Sequence, residues 1–316
     1  MKQGRVNSWL SSVVLATSLV LTLASAKPML GTPASSSQSN LSPVELVQAV
    51  VDKEIAAVHD TSVKHSFRSR KQTPRGSQTK LYVETRDAMA GMVIAYNDQP
   101  ITPEQMQAEE GRLEHFINNP EQLRHKQKQE KEDEERTLRI VRALPEAFIY
   151  EYAGTEGGTN DVGKAGGELV RLKFRPNPAY KAPTHIEQIL TAMEGYVLID
   201  AKCHRLAQID GSLYKEAGFG WDIMGHLNKG GRFVVQQADI GDGTWEVSHM
   251  VLSFTGKILL LKTININSDE VFTNFHRVPD NTSFAQGVEL LKTEKAKAEG
   301  AQRPQTETAQ RYPARP

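Results

Sequence analysis

A single cysteine, Cys203, is all this chain has. No intrachain disulfide can form, so the fold must stand on its packed core. Charge of one sign is also missing: 38 Lys and Arg stand against 38 Asp and Glu. That balance leaves no electrostatic footprint for nucleic acid and no strong attraction to anionic lipid. After the N-terminus no apolar run approaches the roughly 20 residues that a membrane-spanning helix needs. Metal-binding HxH and HExxH pairs are absent, and so is the GxSxG elbow of an acyl-transfer enzyme.

What is present begins with an export signal. Lys2 and Arg5 precede an apolar run at 13–23, and Ala24-Ser25-Ala26 then supplies a small-x-small cleavage site. This pattern reads as a secretory signal peptide over 1–26, too short to be an anchor, and it places the mature protein in the periplasm or outside the cell. Cleavage removes two of the basic residues and no acid. The mature chain of about 290 residues is large enough to be held by a core alone. Residues 27–41, rich in Ser, Pro and small side chains, read as a flexible leader. Residues 293–316, with almost nothing to bury, read as a disordered tail. Between them, 42–292 reads as one domain.

Helix starts are legible. Ser42-Pro43-Val44-Glu45, Thr102-Pro103-Glu104-Gln105 and Asn119-Pro120-Glu121-Gln122 each place a capping residue before Pro, with an acid or amide at the third helical position. Thr184-His185-Ile186-Glu187 is a version without Pro. Helices are therefore expected at about 43–58, 103–117, 120–142 and 185–193. The first carries Val44, Val47, Val51, Ile55 and Val58 as an apolar stripe. Residues 124–136 contain no apolar side chain and read as a solvated helix, or more sharply as an arm for a protein partner.

Strands fall in two groups. The earlier is expected at 65–70, 80–86, 92–96, 147–152 and 168–175. The later, at 196–200, 205–213, 219–227, 232–238, 244–254, 257–265 and 271–277, forms a meander across 194–277. Asn228-Lys229-Gly230-Gly231, Asp242-Gly243 and Thr255-Gly256 mark turns between them. Such short links imply antiparallel pairing. Several strands are apolar on both faces, so one face packs on helices and the other lines either a filled core or an interior.

Chemical motifs are thin. Gly158-Thr159-Asn160-Asp161-Val162-Gly163-Lys164 begins like a phosphate loop, but Ala165 stands where the magnesium-binding hydroxyl belongs and a strand follows instead of a helix. It reads as a mobile hairpin loop. Cys203-His204 cannot chelate one ion from a strand, because neighbours there point to opposite faces. His249 and His276 fall on expected strands and could meet across a sheet. Asp200, Asp210, Asp222, Asp239 and Asp242 sit mostly at turns, where Asx geometry accounts for them. No cofactor or metal is implied.

The later strands resemble a known family. Gly195-Tyr196-Val197-Leu198-Ile199-Asp200, Ala207-Gln208-Ile209-Asp210-Gly211, Lys229-Gly230-Gly231-Arg232-Phe233 and Gly243-Thr244-Trp245 together resemble the LolA-like superfamily, the periplasmic lipoprotein carriers and related outer-membrane lipoprotein-sorting proteins. The likeness covers about 169–275, and the Pro of the family's usual G-x-W-x-P step is replaced by Val247. It implies an α+β fold: a curved antiparallel sheet, or half-open β-barrel, with helices on the concave face. It implies non-catalytic binding of a lipid or an acylated protein. Two departures are a charged helical insert at about 97–144 and the C-terminal tail.

The expected function is therefore a periplasmic lipid-binding role. Apolar cavity candidates are Phe233, Val235, Met250, Leu252, Ile258, Leu260 and Trp245, and no catalytic or metal residue is assigned. Period-two alternation does not say which face is inside. A structural envelope protein with a filled core is the alternative, and a secreted hydrolase, which needs two carboxylates within about 10 Å in a cleft, is the second.

Overall fold

The computed structural model describes residues 41–60, 63–219, 225–241, 243–258 and 262–302. The signal peptide, nearly all of the leader, Trp221 and residues 303–316 lie outside that range. In chain order the elements are α1 (Pro43–His59), β1 (Lys64–Thr73), β2 (Gly76–Val83), β3 (Ala90–Tyr96), β4 (Gln99–Pro100), α2 (Pro103–Asn118), α3 (Pro120–Ala147), β5 (Phe148–Gly157) and β6 (Glu168–Pro176). Then come α4 (His185–Gln188), a 3₁₀ turn at Ile189–Ala192, β7 (Met193–Asp200), β8 (Leu206–Leu213), β9 (Ala217–Phe219), β10 (Gly225–Leu227), β11 (Arg232–Gly241), β12 (Thr244–Ile258), β13 (Lys262–Val278) and α5 (Phe284–Gln302).

The two strand groups form one antiparallel sheet of 13 strands, ordered β4-β3-β2-β1-β13-β12-β11-β8-β7-β6-β5, with β10 and β9 branching from β12. The first and last long strands, β1 and β13, pair and so join the halves. The outermost strands do not meet, and the sheet stays open. Register shifts in β1–β13, β2–β3, β5–β6, β7–β8 and β11–β12 mark bulges, the device by which strands bend. An unclosed antiparallel sheet carrying helices is the arrangement that the LolA-like resemblance implied.

The caps work as the sequence predicts for two helices. Ser42 and Glu45 close a reciprocal box on α1, and Thr102 and Gln105 do so on α2. Asn119 makes no such cap on α3, because its amide donates back to the His115 carbonyl at 2.7 Å and finishes α2 instead. The fourth helix is shorter than expected: α4 ends at Gln188 and tightens into the 3₁₀ turn. The buried stripe of α1 is also rotated from the expected one. Leu46, Val47, Val50, Val51, Glu54 and Ala57 face inward, while Val44 is 45% exposed.

The expected turn at Thr255-Gly256 does not exist; β12 runs through it to Ile258 and pairs with β13 along the way. Glycine is needed at 256 for another reason. A Cβ there would sit 2.1 Å from the His226 carbonyl oxygen, where β10 pairs with β12. The other large difference is α5, which was not expected although Ser283-Phe284-Ala285-Gln286 is a capping box, closed by the Ser283 amide on Gln286 Oε1 at 2.8 Å and the Gln286 amide on Ser283 Oγ at 3.3 Å. It runs through Gln302, into the stretch expected to be disordered.

Two covers give the sheet its faces. α1 and the end of α3 pack through Leu46, Val47, Val50, Ala143 and Ala147 on Val170, Leu172, Val197, Ile199 and Ile209; this is the inner face. On the opposite face at the β2–β3 end, Phe284, Val288 and Leu291 of α5 pack with Met106 and Leu113 of α2 on Val83, Ala90 and Met92. A further buried patch on the outer face joins Leu169 and Leu198 to Ala207 and Trp245, and beside it the face is polar. A bonded row crosses it from Glu156 to Arg171 at 2.9 Å, then Tyr196 beneath the Arg171 guanidinium, Gln208, Gln236, His249 and Asp269. That row settles which side of the strands is inside.

Candidate ligand-binding face

Strand register brings four of the expected residues together on the inner face. Phe233 of β11 pairs with Leu252 of β12, and Val235 pairs with Met250. They form one apolar group with Phe67, Met89, Val247 and Phe272 buried, and with Tyr82, Phe254, Ile266 and Phe275 only partly so. Phe67 organises the β1–β2 side of this wall: its ring stacks on Tyr82 at 5.2 Å and meets Phe275 at 5.6 Å and Phe272 at 6.1 Å. The group is continuous with the core beneath α1 through Phe233, Val235 and Phe254. Met250 and Leu252 are 4% and 3% exposed.

A glycine of the family-like motif shapes this wall. Gly211 lies opposite Phe233, and a Cβ there would meet the Phe233 ring at 2.4 Å. The ring therefore lies flat on bare backbone. Trp245 is elsewhere, packed with Leu169, Leu198 and Ala207, its ring 5.7 Å from the Arg205 guanidinium. Leu260 and the Ile258 side chain lie outside the described residues. A separate solvent-open depression of ≈ 660 Å³ is lined by Lys181, Ala182, Pro183, Thr184, His185, Gln188 and Thr191, none of them an expected site residue.

Two polar groupings border the wall, and sequence reasoning missed both. At one end a buried row runs from α1 into the sheet. Glu54 accepts from Arg205 Nε at 2.7 Å and from the Leu206 amide at 3.1 Å, and Gln237 bridges the two side chains at 3.4 Å on each side. Breaking such a pair from one side costs about 3–5 kcal/mol, because the remaining charge stays buried. Farther along, His65 Nδ1 lies 3.0 Å from Glu246 Oε1, and the His65 amide donates to Glu84 Oε2 at 2.9 Å. All six side chains belong to residues at most 6% exposed. Burial pushes both Glu84 and Glu246 up to about 8; Glu246 adds to the shift of Glu84, whereas Arg205 opposes that of Glu246. Burial also lowers His65 from its ordinary value, with Arg277 adding to the shift and Glu84 opposing it. At neutral pH His65, Glu84 and Glu246 are therefore largely neutral, beside one Arg–Glu pair. Glu54 had a readable signal, since it falls in register with Val47, Val50 and Val51.

At the other end, Ser69 Oγ donates to Glu270 Oε1 at 2.5 Å and Lys71 Nζ lies 3.4 Å from Glu270 Oε2. Lys80 stands opposite Ser69 on β2, on the face that carries Tyr82.

The other chemical candidates have structural occupations. The 158–167 loop turns its amides inward: Gly158 donates to Gly167, Gly166 to Gly158 and Gly167 to Lys164, and Gly163 joins β11 through Gln237 and Asp239. It is a bound-back hairpin. Asp200 accepts from the Lys202 and Cys203 amides, an Asx turn. Burial first, and then Asp200, push the Cys203 thiol up to about 12, far from a thiolate. Asp210 holds Arg232 at 2.6 Å, and Asp239 accepts from the Gly241 amide. His249 lies between Gln236 and Asp269, whereas His276 sits on β13 opposite Ser66 of β1, so the two do not meet. In the 124–136 stretch Lys128 and Glu132 are 3.9 Å apart, but the stretch is not wholly solvated, because Glu130 accepts from the Met89 amide at 3.0 Å.

No family model and no curated protein matches this chain. Two solved structures align over nearly their whole length. One is a domain described as that of an outer membrane lipoprotein-sorting protein from Vibrio parahaemolyticus, at 9% identity and a TM-score of 0.29, covering 77% of this chain and 97% of that one. The other is a DUF1329 family protein from Desulfovibrio piger, at 9% identity and a TM-score of 0.25, covering 79% of this chain and 100% of that one. At these scores the alignments say nothing about individual residues. Among the described residues no helix is long and apolar enough to cross a membrane.

Proposed function

We propose that this chain is a non-catalytic binding protein of the cell envelope that holds a lipid, or the acyl part of a lipid-modified protein, against the inner face of its sheet. The observation that carries the reading is the apolar wall of Phe233, Val235, Met250 and Leu252, bordered by partly exposed Tyr82, Phe254, Ile266 and Phe275. Apolar contact contributes about 0.8 kcal/mol per CH₂ buried, so an acyl chain needs few polar contacts there. The N-terminal signal pattern supports export to the periplasm. The 124–136 helix remains the proposed contact for a protein partner, through its exposed charged side.

A second reading, a structural envelope protein with a filled core, draws on the low exposure of Met250 and Leu252. Titration with the neutral apolar dye Nile red separates the two. Saturable binding is expected, weakened about tenfold by Phe254→Ala, since losing one buried aromatic side chain removes about 1.5–3 kcal/mol of apolar contact. Failure of the dye to saturate the folded protein would favour the filled core.

A further inference from the structure

Lys80, on the inner face, has no counter-ion among the described residues. Glu270 is matched by Lys71 and Ser69. Glu109 of α2 is matched by Arg112 at 2.7 Å and by the Val93 amide at 3.1 Å. These four charges surround Lys80, whose charged neighbours are Glu270, Arg112, Glu109 and Lys71. Among the described residues Lys80 has no hydrogen-bond or ion-pair partner, and it is half-buried. Burial, the largest influence on it, lowers the pKa of its ammonium. A desolvated ammonium without a partner is unfavourable, and an anion at this place would relieve it.

Its position relative to the apolar wall gives the anion a context. Lys80 and Tyr82 lie on one face of β2, and Tyr82 stacks on Phe67 at the margin of the wall. From β2 through β1, β13 and β12 to β11 the sheet takes four strand spacings, about 19 Å. A long extended acyl chain fits that span, crossing Phe67, Met250 and Leu252 to reach Phe233 and Val235.

We infer that the ligand is an anionic amphiphile with one long acyl chain, its carboxylate or phosphate head at Lys80 and its chain along the wall toward β11. This rests on the lipid-binding reading and narrows it to a head-group class. A neutral hydroxyl head gains only a weaker hydrogen bond from Lys80, and a cationic head is repelled.

Calorimetric titration with hexadecanoate and with hexadecan-1-ol, each below its aggregation point, tests the inference. The two share a chain and differ in head charge. The wild type is expected to bind hexadecanoate about tenfold more tightly, the worth of a charge-assisted hydrogen bond. Lys80→Met is expected to abolish that preference, mostly through lost hexadecanoate affinity, while Lys80→Arg retains most of it. Equal affinity of the wild type for both, or an unaltered preference in Lys80→Met, would overturn the head-group assignment and leave lipid binding standing. No binding of either would overturn the assignment together with the lipid-binding reading beneath it.

Discussion

Glu84, just past the end of β2, and Glu246 of β12 reach His65, and all three are at most 6% exposed. Their raised acid constants have a consequence for stability. An acid held protonated by the fold contributes fully below its unfolded value of 4.5, and that contribution is lost as pH rises toward about 8. His65 acts oppositely: held neutral, it contributes above its ordinary value of 6.5 and weakens the fold as pH falls below it. Between 6.5 and 8 only the acids act, so the melting temperature is expected to fall across that window. Glu246→Gln is expected to flatten the fall, both by removing one acid and by relieving Glu84 of its charged neighbour. Calorimetric melting at several pH values checks this, and an unchanged slope in the variant would contradict it. None of this row was legible as a row, because charged residues read as surface until a partner from another strand is known. The four wall residues were legible, since alternation along a single strand already places Phe233 with Val235 and Met250 with Leu252.

At the scale of elements, what the sequence announced was what is satisfied locally. Ser42 and Thr102 cap α1 and α2 through partners three residues away, and both boxes formed. The fifth helix has the same local box, Ser283 with Gln286, but its apolar partners are remote: Phe284, Val288 and Leu291 find them on strands some two hundred residues earlier. Thr255-Gly256 was misread for a related reason. The glycine answers to the backbone of β10 across the sheet, not to a reversal of its own strand. Gly256→Val is therefore expected to destabilise the protein by about 1–3 kcal/mol, the usual cost of overpacking. The loss should concentrate in β9 and β10, read as faster amide exchange at His226 and Leu227 with little change in β1 or β2. Uniform exchange across the sheet would contradict this.

For the whole molecule, an open sheet of 13 strands, polar over part of its outer face, puts much of its apolar surface inside. α1 and α3 cover the β5–β8 part of that surface, and the wall on β11–β13 and β1–β2 keeps partly exposed aromatics. Lipid binding is the reading in which that exposure has a use. Native mass spectrometry of the full-length protein, expressed with its signal and purified from the periplasm without detergent, tests it most directly. A population heavier than the apoprotein by the mass of an acyl lipid, released on collisional activation, is expected. Apoprotein alone in repeated preparations, still alone after incubation with a long-chain fatty acid, would contradict it.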